Sequence, residues 1–360
     1  MPIHESDQWR QQYFASTECP ADVHIPTDDS MAYALNPLHR WIYDKLRVAR
    51  SQGIECGPAA VAPLHYPVFS KPVTNLKGMG VGSRILRDAR DHRTHCNAQD
   101  FWMTLLCGEH VSTDWAVVNG EATWCRHTLG IPGTAGTFDY WKVEADLRPS
   151  VEKYSIDWIR QNLRDYTGML NVETIGGQII EAHLRFSDQW PDLYGRKWVD
   201  AAVRLYDQKI WKFPDTDRTD AYSVVLFGPH GRPYRLPSAA KLAHYRSIPG
   251  VSSLQITFSA DVPPSAHAMP PGGFRLAIIN CFDLNVGLRL RTTLAREFGL
   301  ISVKPASSMA PRAAAGLRNR SNPTYRPMGP LAPMPERSNP AMSKDADRTS
   351  PDWRAIRSYG

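Results

Sequence analysis

The stretch Gly168–Arg185, GMLNVETIGGQIIEAHLR, constrains this chain more than any other. Two short apolar runs flank Gly176 and Gly177, the local chemistry of a β-hairpin. Register decides what the hairpin can do, because side chains alternate between faces with period 2. A two-residue loop pairs Ile175 with Gln178 and sends Glu173 and Glu181 to opposite faces. A three-residue loop with a glycine bulge pairs Ile175 with Ile179, and Glu173 then faces Glu181 with His183 on the same side. Two carboxylates opposed at roughly 5 Å repel unless a cation sits between them. Such an oxygen-rich pair suits Mg²⁺, which completes its shell with water and phosphates. The ordinary alternative is a solvated sheet face carrying both glutamates.

With 360 residues, 42% of them apolar, the chain can bury a sizeable core and hold two or three domains or subdomains. The formal charge of +6 invites a nucleic-acid reading, but its location argues against one. Residues 301–360 hold 10 Lys/Arg and 4 Asp/Glu, while residues 1–300 hold 32 of each sign. The excess belongs to a segment rich in Pro, Ser, Arg and Met, which reads as a disordered basic tail. Six cysteines are scattered without a C-x-x-C pair, as expected of reduced thiols. The polar first ten residues lack an apolar signal core, and no run approaches the roughly 18 apolar residues of a membrane span. A soluble cytoplasmic protein with no membrane partner is expected.

Along the chain, residues 1–35 show no clear periodicity and read as mostly loop. Leu38, Trp41, Ile42, Lys45, Leu46 and Ala49 then share one helical stripe that ends near Gly53. Lys45 is the odd member of that apolar face, a snorkelling lysine or a ligand. A short strand over 66–73 carries Lys71 just before Pro72. The loop Asn75–Ser83, with Lys77, Gly78, Gly80, Gly82 and Ser83, is an ordinary turn or a cradle whose amides approach phosphates. An apolar strand from Phe101 leads through Met103, Leu105 and Gly108 to Glu109 and His110. Asn119-Gly120 signals a type I′ hairpin whose second strand bears Arg126. The glycine-rich, aromatic run 130–141 reads as a loop, and residues 151–167 as an amphipathic helix leading into the acidic hairpin. Beyond it come a helix near 198–205, strands at 222–227, 253–258 and 274–280, and a helix over 284–298.

This order of parts resembles an ATP-grasp domain. The resemblance spans residues 36–195 and implies an α+β, two-lobed fold that holds ATP between its lobes. An extended segment, 1–35, precedes this module; a small C-terminal α+β subdomain, 196–300, and the tail, 301–360, follow it. By resemblance, Lys45 and Lys71 are the phosphate-contacting lysines, with residues 78–83 the loop over the phosphates and Lys77 at its start. Met103 to Leu106, with Leu105 central, are the interlobe linker that meets adenine. Glu109, or His110 after a one-residue shift, takes the ribose. Glu173 and Glu181 are the magnesium ligands, and His183 stands where the family usually has Asn. That histidine is a metal ligand favouring a softer ion such as Mn²⁺, a group that binds phosphate or substrate, or a structural hydrogen-bonding group.

The resemblance implies an ATP- and Mg²⁺-dependent ligase that activates a small-molecule carboxylate as an acyl phosphate for an amine or other nucleophile. Arg126 and Arg185 are the candidate catalytic arginines for the transferring group or the carboxylate. Only about 36 residues precede the first helix, fewer than a separate substrate domain needs. Substrate binding then falls to the C-terminal segment or to a partner protein. An inactive ATP-binding regulatory or scaffold protein and a direct phosphotransferase are the competing readings.

Overall fold

The computed structural model describes residues 3–5, 7, 9–76, 80–133, 137–267 and 269–301. The expected tail, 301–360, and the loop residues Lys77 and Gly78 therefore lie outside the described residues, apart from residue 301 itself. Among the described residues no helix is long and apolar enough to cross a membrane.

Three sheets organise the described residues. The first is a parallel pair, β1 (Ile3–His4) with β2 (Ile25–Pro26), followed by helix α1 (Asp29–Leu35). Residues 1–35 are thus more than the loop expected: Asp28 caps α1 by accepting a hydrogen bond from Met31 N at 2.9 Å. The single stripe expected over 38–49 is split. A 3-10 turn at Arg40–Tyr43 leads to Asp44, whose side chain caps α2 (Lys45–Ser51) through Arg47 N. Lys45 consequently occupies the first turn of α2, and Gly53 follows the helix with φ +71°.

The smaller lobe is a four-stranded antiparallel sheet in the order β3-β6-β4-β5. Its strands are β3 (Cys56–Pro58), β4 (Val68–Pro72), β5 (Arg84–Leu86) and, after helix α3 (Ala89–His95), β6 (Asp100–Thr104). Phe101 and Met103 pack with Ala49 and Ile54, which seats α2 on this sheet. The larger lobe begins with β7 (His110–Val118) and β8 (Glu121–Pro132), joined by Asn119 (φ +50°) and Gly120 (φ +78°) in the expected left-handed turn. β9 (Phe138–Val143) takes part of the run read as loop. Then follow α4 (Pro149–Asn162), β10 (Gly168–Ile175), β11 (Gln178–His183), α5 (Trp198–Gln208) and β12 (Ala221–Gly228). Helix α6 (Ala239–Arg246), which the sequence did not suggest, precedes β13 (Val251–Ile256), β14 (Phe274–Cys281) and α7 (Leu284–Glu297).

All strands from β7 onward form one eight-stranded sheet, β11-β10-β7-β8-β9-β12-β14-β13, with every pairing antiparallel. The expected boundary at 195/196 thus falls within one continuous sheet, because β12 pairs with β9. Period-2 alternation assigns its two faces. Trp115, Leu170, Val172 and Ile179 pack with Trp158 and Ile159 of α4 on one side. Ala116, Met169 and Trp141 pack with Phe186 and Trp198 on the other. That second face also carries a row of buried charges at its β10–β11 end.

Candidate active site

The acidic hairpin takes the loop of one expected register and the facing of the other. Ile175 pairs with Gln178 across a two-residue turn at Gly176 (φ +57°) and Gly177 (φ +84°), yet Glu173 pairs directly with Glu181. A β-bulge reconciles the two: Thr174 pairs with Ile179 and Glu173 with Glu181, so Ile180 is an extra residue on β11. An unpaired bulge carbonyl needs a donor, and Lys71 supplies one, its Nζ donating to Ile180 O at 2.8 Å. Lys71 reaches over from β4, so the bulge that aligns the two glutamates also ties the smaller lobe to them.

Charges converge on Glu181. Lys45 Nζ donates to its Oε1, Lys71 Nζ lies 3.9 Å from the same oxygen, and His183 Nε2 lies 3.4 Å from Oε2. Burial would raise the Glu181 carboxyl, but Lys45, the His183 contact and Lys71 hold it well below the usual range. Burial pulls Lys71 down to about 8, despite the opposing pull of Glu181. Glu173, which burial alone would raise, is held low by His110, whose Nε2 lies 2.9 Å from Glu173 Oε2.

Behind Glu181 runs a second set of contacts. His183 Nδ1 meets Asp29 Oδ1 at 3.0 Å, and Arg185 embraces the same carboxylate, Nη2 donating to Oδ2 at 3.0 Å with Nε 2.8 Å from Oδ1. Tyr43 OH also donates to Asp29, at 3.3 Å, and accepts from Leu184 N. Although burial opposes the charge, Asp29 raises His183 to about 9, so the imidazole is a cation at neutral pH. Burial likewise opposes the Asp29 charge, yet Arg185 and His183 hold its carboxyl well below the carboxylate range. Leaving His110 aside, Lys45, Lys71, His183 and Arg185 outnumber Asp29, Glu173 and Glu181 by one positive charge, a balance suited to an anion.

The ligand atoms of Glu173, Glu181 and His183 lie within 4.8 Å of one another. The two carboxylates fit a hard, oxygen-seeking cation. His183 is engaged by a carboxylate at each ring nitrogen, and in that arrangement it orients Glu181 rather than offering a lone pair.

Other expected site residues are distributed less tightly. Gly80 (φ +61°) and Gly82 (φ +84°) keep left-handed backbone, and a Cβ on Gly82 would lie 3.1 Å from Pro72 Cγ, so the loop before Ser83 crosses the end of β4 beside Lys71. Met103 is buried in β6, and Leu105 follows that strand half-buried. Gly108 packs against the hairpin turn, where a Cβ would lie 2.8 Å from Gly176 Cα. Glu109 points away to Arg148 Nη1 at 2.7 Å, and His110 touches Glu173 instead. Arg126 is not brought to the cluster. It lies three strands from His183 on the same register row, and Asp215 Oδ1 (3.1 Å) and Thr219 O (2.8 Å) occupy its guanidinium.

Sequence reasoning missed Asp29, Tyr43 and Ile180. Asp28-Asp29 before an apolar run is a helix-start signal, but nothing local says that the second aspartate turns inward to meet His183.

No protein-family model matches this sequence, and none of the curated proteins does. Solved structures do share its fold. An N5-carboxyaminoimidazole synthase from Aspergillus clavatus, in complex with ADP and 5-aminoimidazole ribonucleotide, superposes with a TM-score of 0.53 at 13% identity over 78% of this chain and 82% of that one. An L-amino acid ligase from Bacillus licheniformis gives 0.52 at 13% identity, over 80% and 82%. At such identity the likeness is one of fold.

Proposed function

We propose, for a chain that has the ATP-grasp fold, that it is an ATP-dependent ligase joining a carboxylate to an amine or another nucleophile. The observation that carries this reading is the facing of Glu173 and Glu181 across the bulged hairpin, with Lys45 and Lys71 converging on them from α2 and β4. The structural relatives act on small molecules by their names, and one holds ADP, which supports a nucleotide between the lobes.

In this reading Lys45 and Lys71 turn from Glu181 to the phosphates, and the glycine loop at 80–83 lies over them. Glu173 and Glu181 would hold Mg²⁺, which when bound offsets the charge of the triphosphate. Asp29, itself held by Arg185, keeps His183 charged and in place, and His183 orients Glu181. The substrate carboxylate attacks the γ-phosphorus and ADP leaves. The nucleophile then attacks the acyl carbon, inorganic phosphate departs, and the nucleophile's proton passes to solvent. Positioning and charge neutralisation supply the rate, with no covalent help from the chain.

The test is thermal unfolding with Mg²⁺ and ATP or GTP, beside Glu181→Gln, followed by a screen of carboxylates and amines for ADP release. ATP at about a hundred times its dissociation constant adds roughly 2.7 kcal/mol and a few degrees. The reading expects that shift in the native chain, its loss in the variant, and ADP release that needs the carboxylate. An absent shift with every nucleotide removes it. One observation favours a second reading, an ATP-binding protein without turnover: both lysines and His183 already close on Glu181. Tight ATP binding with no ADP release under any substrate pair would select it.

A further inference from the structure

The opposite face of the large sheet carries a second cluster, of different chemistry. Cys125 and His127 alternate on β8 and so share a side, and Glu152 reaches them from the first turn of α4. Cys125 Sγ lies 4.0 Å from His127 Nε2, Glu152 Oε1 lies 2.9 Å from the same nitrogen, and all three atoms fall within 4.8 Å of one another. On the other side of the ring, Thr113 Oγ1 meets Nδ1 at 2.9 Å.

We propose that Cys125, His127 and Glu152 form a transition-metal site whose thiolate, imidazole and carboxylate donors fit Zn²⁺. Two donors aim at one ring nitrogen, and a hydrogen bond can satisfy only one of them. With a proton on Nε2 the carboxylate is served and the sulfur is left at 4.0 Å; without it, the carboxylate, which also accepts from Arg148 N at 3.0 Å, faces a lone pair. A cation between the three serves all of them. Thr113 is the outer partner that a ligating histidine requires, because it accepts Nδ1–H and leaves Nε2 free to coordinate. Three protein ligands leave a fourth tetrahedral position for water or an incoming group. Softness separates this site from the oxygen pair across the sheet: thiolate and imidazole select Zn²⁺ over Mg²⁺.

On metal binding the thiol proton goes to solvent, and His127 keeps its one proton, moved to Nδ1. The bound ion would staple β8 to the start of α4.

The experiment is a Co²⁺ titration of the chelator-treated full chain, read by its absorption. One equivalent giving tetrahedral d–d bands and a near-ultraviolet thiolate-to-cobalt band, both displaced by one equivalent of Zn²⁺, is the expected result. Cys125→Ser should abolish the thiolate band, whereas Cys107→Ser and Glu181→Gln should keep it. Zn²⁺ should raise the unfolding midpoint of the native chain by a few degrees and leave that of His127→Gln unmoved. No thiolate band in the native chain overturns the proposal whether or not the variants fold, and so does a band that survives Cys125→Ser.

Discussion

Two carboxylates on the same face of the large sheet, Asp114 and Glu181, are satisfied in opposite ways. Asp114 is almost wholly buried, and its hydrogen bonds come from neutral groups: Asn171 Nδ2 donates at 2.7 Å, Tyr194 OH at 2.7 Å, and Ser187 N lies 2.9 Å from both oxygens. Glu181 keeps its side chain 18% exposed and is met by Lys45, Lys71 and His183. Fixed dipoles close the first site, and nothing there is left to exchange. Charged side chains hold the second, and in the proposed reading an ammonium turns from this carboxylate to a phosphate. Asn171 links the two, pairing in register with Asp114 on one side and His183 on the other. The contrast separates a carboxylate closed into the fold from one that the proposed function uses for binding.

The sharpest way to break this contrast is Asp114→Ala. It strips the acceptor from Tyr194, Asn171 and the Ser187 amide at once, and each buried orphan costs about 1–3 kcal/mol. A urea melt should show a loss on the order of 3–5 kcal/mol, with the ATP affinity of the folded fraction unchanged. Collapsed affinity with intact stability would make Asp114 part of the site.

A gentler variant, Asp114→Asn, isolates the charge. Burial, only partly opposed by Tyr194 and Asn171, pushes this carboxyl from 3.8 up to about 6. Between those values the folded chain holds a proton that the unfolded chain has lost, so the full stability contribution is present at low pH and is lost as pH rises through about 6. Relative to the Asn variant, the native chain should lose up to about 3 kcal/mol between pH ~4 and pH ~6. A difference that stays flat with pH would mean that the four donor contacts offset the burial in full.

The smallest change in stability is expected of Lys71→Met. It removes a buried ammonium that burial already pulls down to about 8, at the cost of one hydrogen bond to Ile180 O. Stability should move by less than about 1 kcal/mol, while ATP affinity in a calorimetric titration falls at least about tenfold, some 1.4 kcal/mol. A residue that stabilises little and binds much is what a site trading stability for function contains. A large loss of stability with unchanged affinity would move Lys71 to the side of Asp114.

Much of this molecule was legible along the chain. Gly-Gly between two apolar runs, Asn119-Gly120 and the stripe of α4 are local signals, set by backbone sterics and side-chain period. That the two lysines and two glutamates meet was implied by a resemblance in the order of elements, and the structure brings the four together. The facing of the glutamates was one of two registers the sequence left open, and the choice depended on a bulge at Ile180 whose carbonyl takes a lysine from another sheet. Arg126 looked like a free guanidinium in the sequence, and only the approach of Asp215 and Thr219, far along the chain, occupied it.

Local chemistry along the chain thus settled the two tight hairpins and the amphipathic α4, though not α1, β9 or α6. Folding settled the rest: that Asp29 meets His183 across more than 150 residues, and that β12 to β14 continue the sheet rather than starting another domain. It also turned Cys125 and His127 toward Glu152. Register and burial come from long-range packing. The same carboxylate is therefore a solvated surface group, a closed structural anchor or a binding group according to what the rest of the chain lays against it.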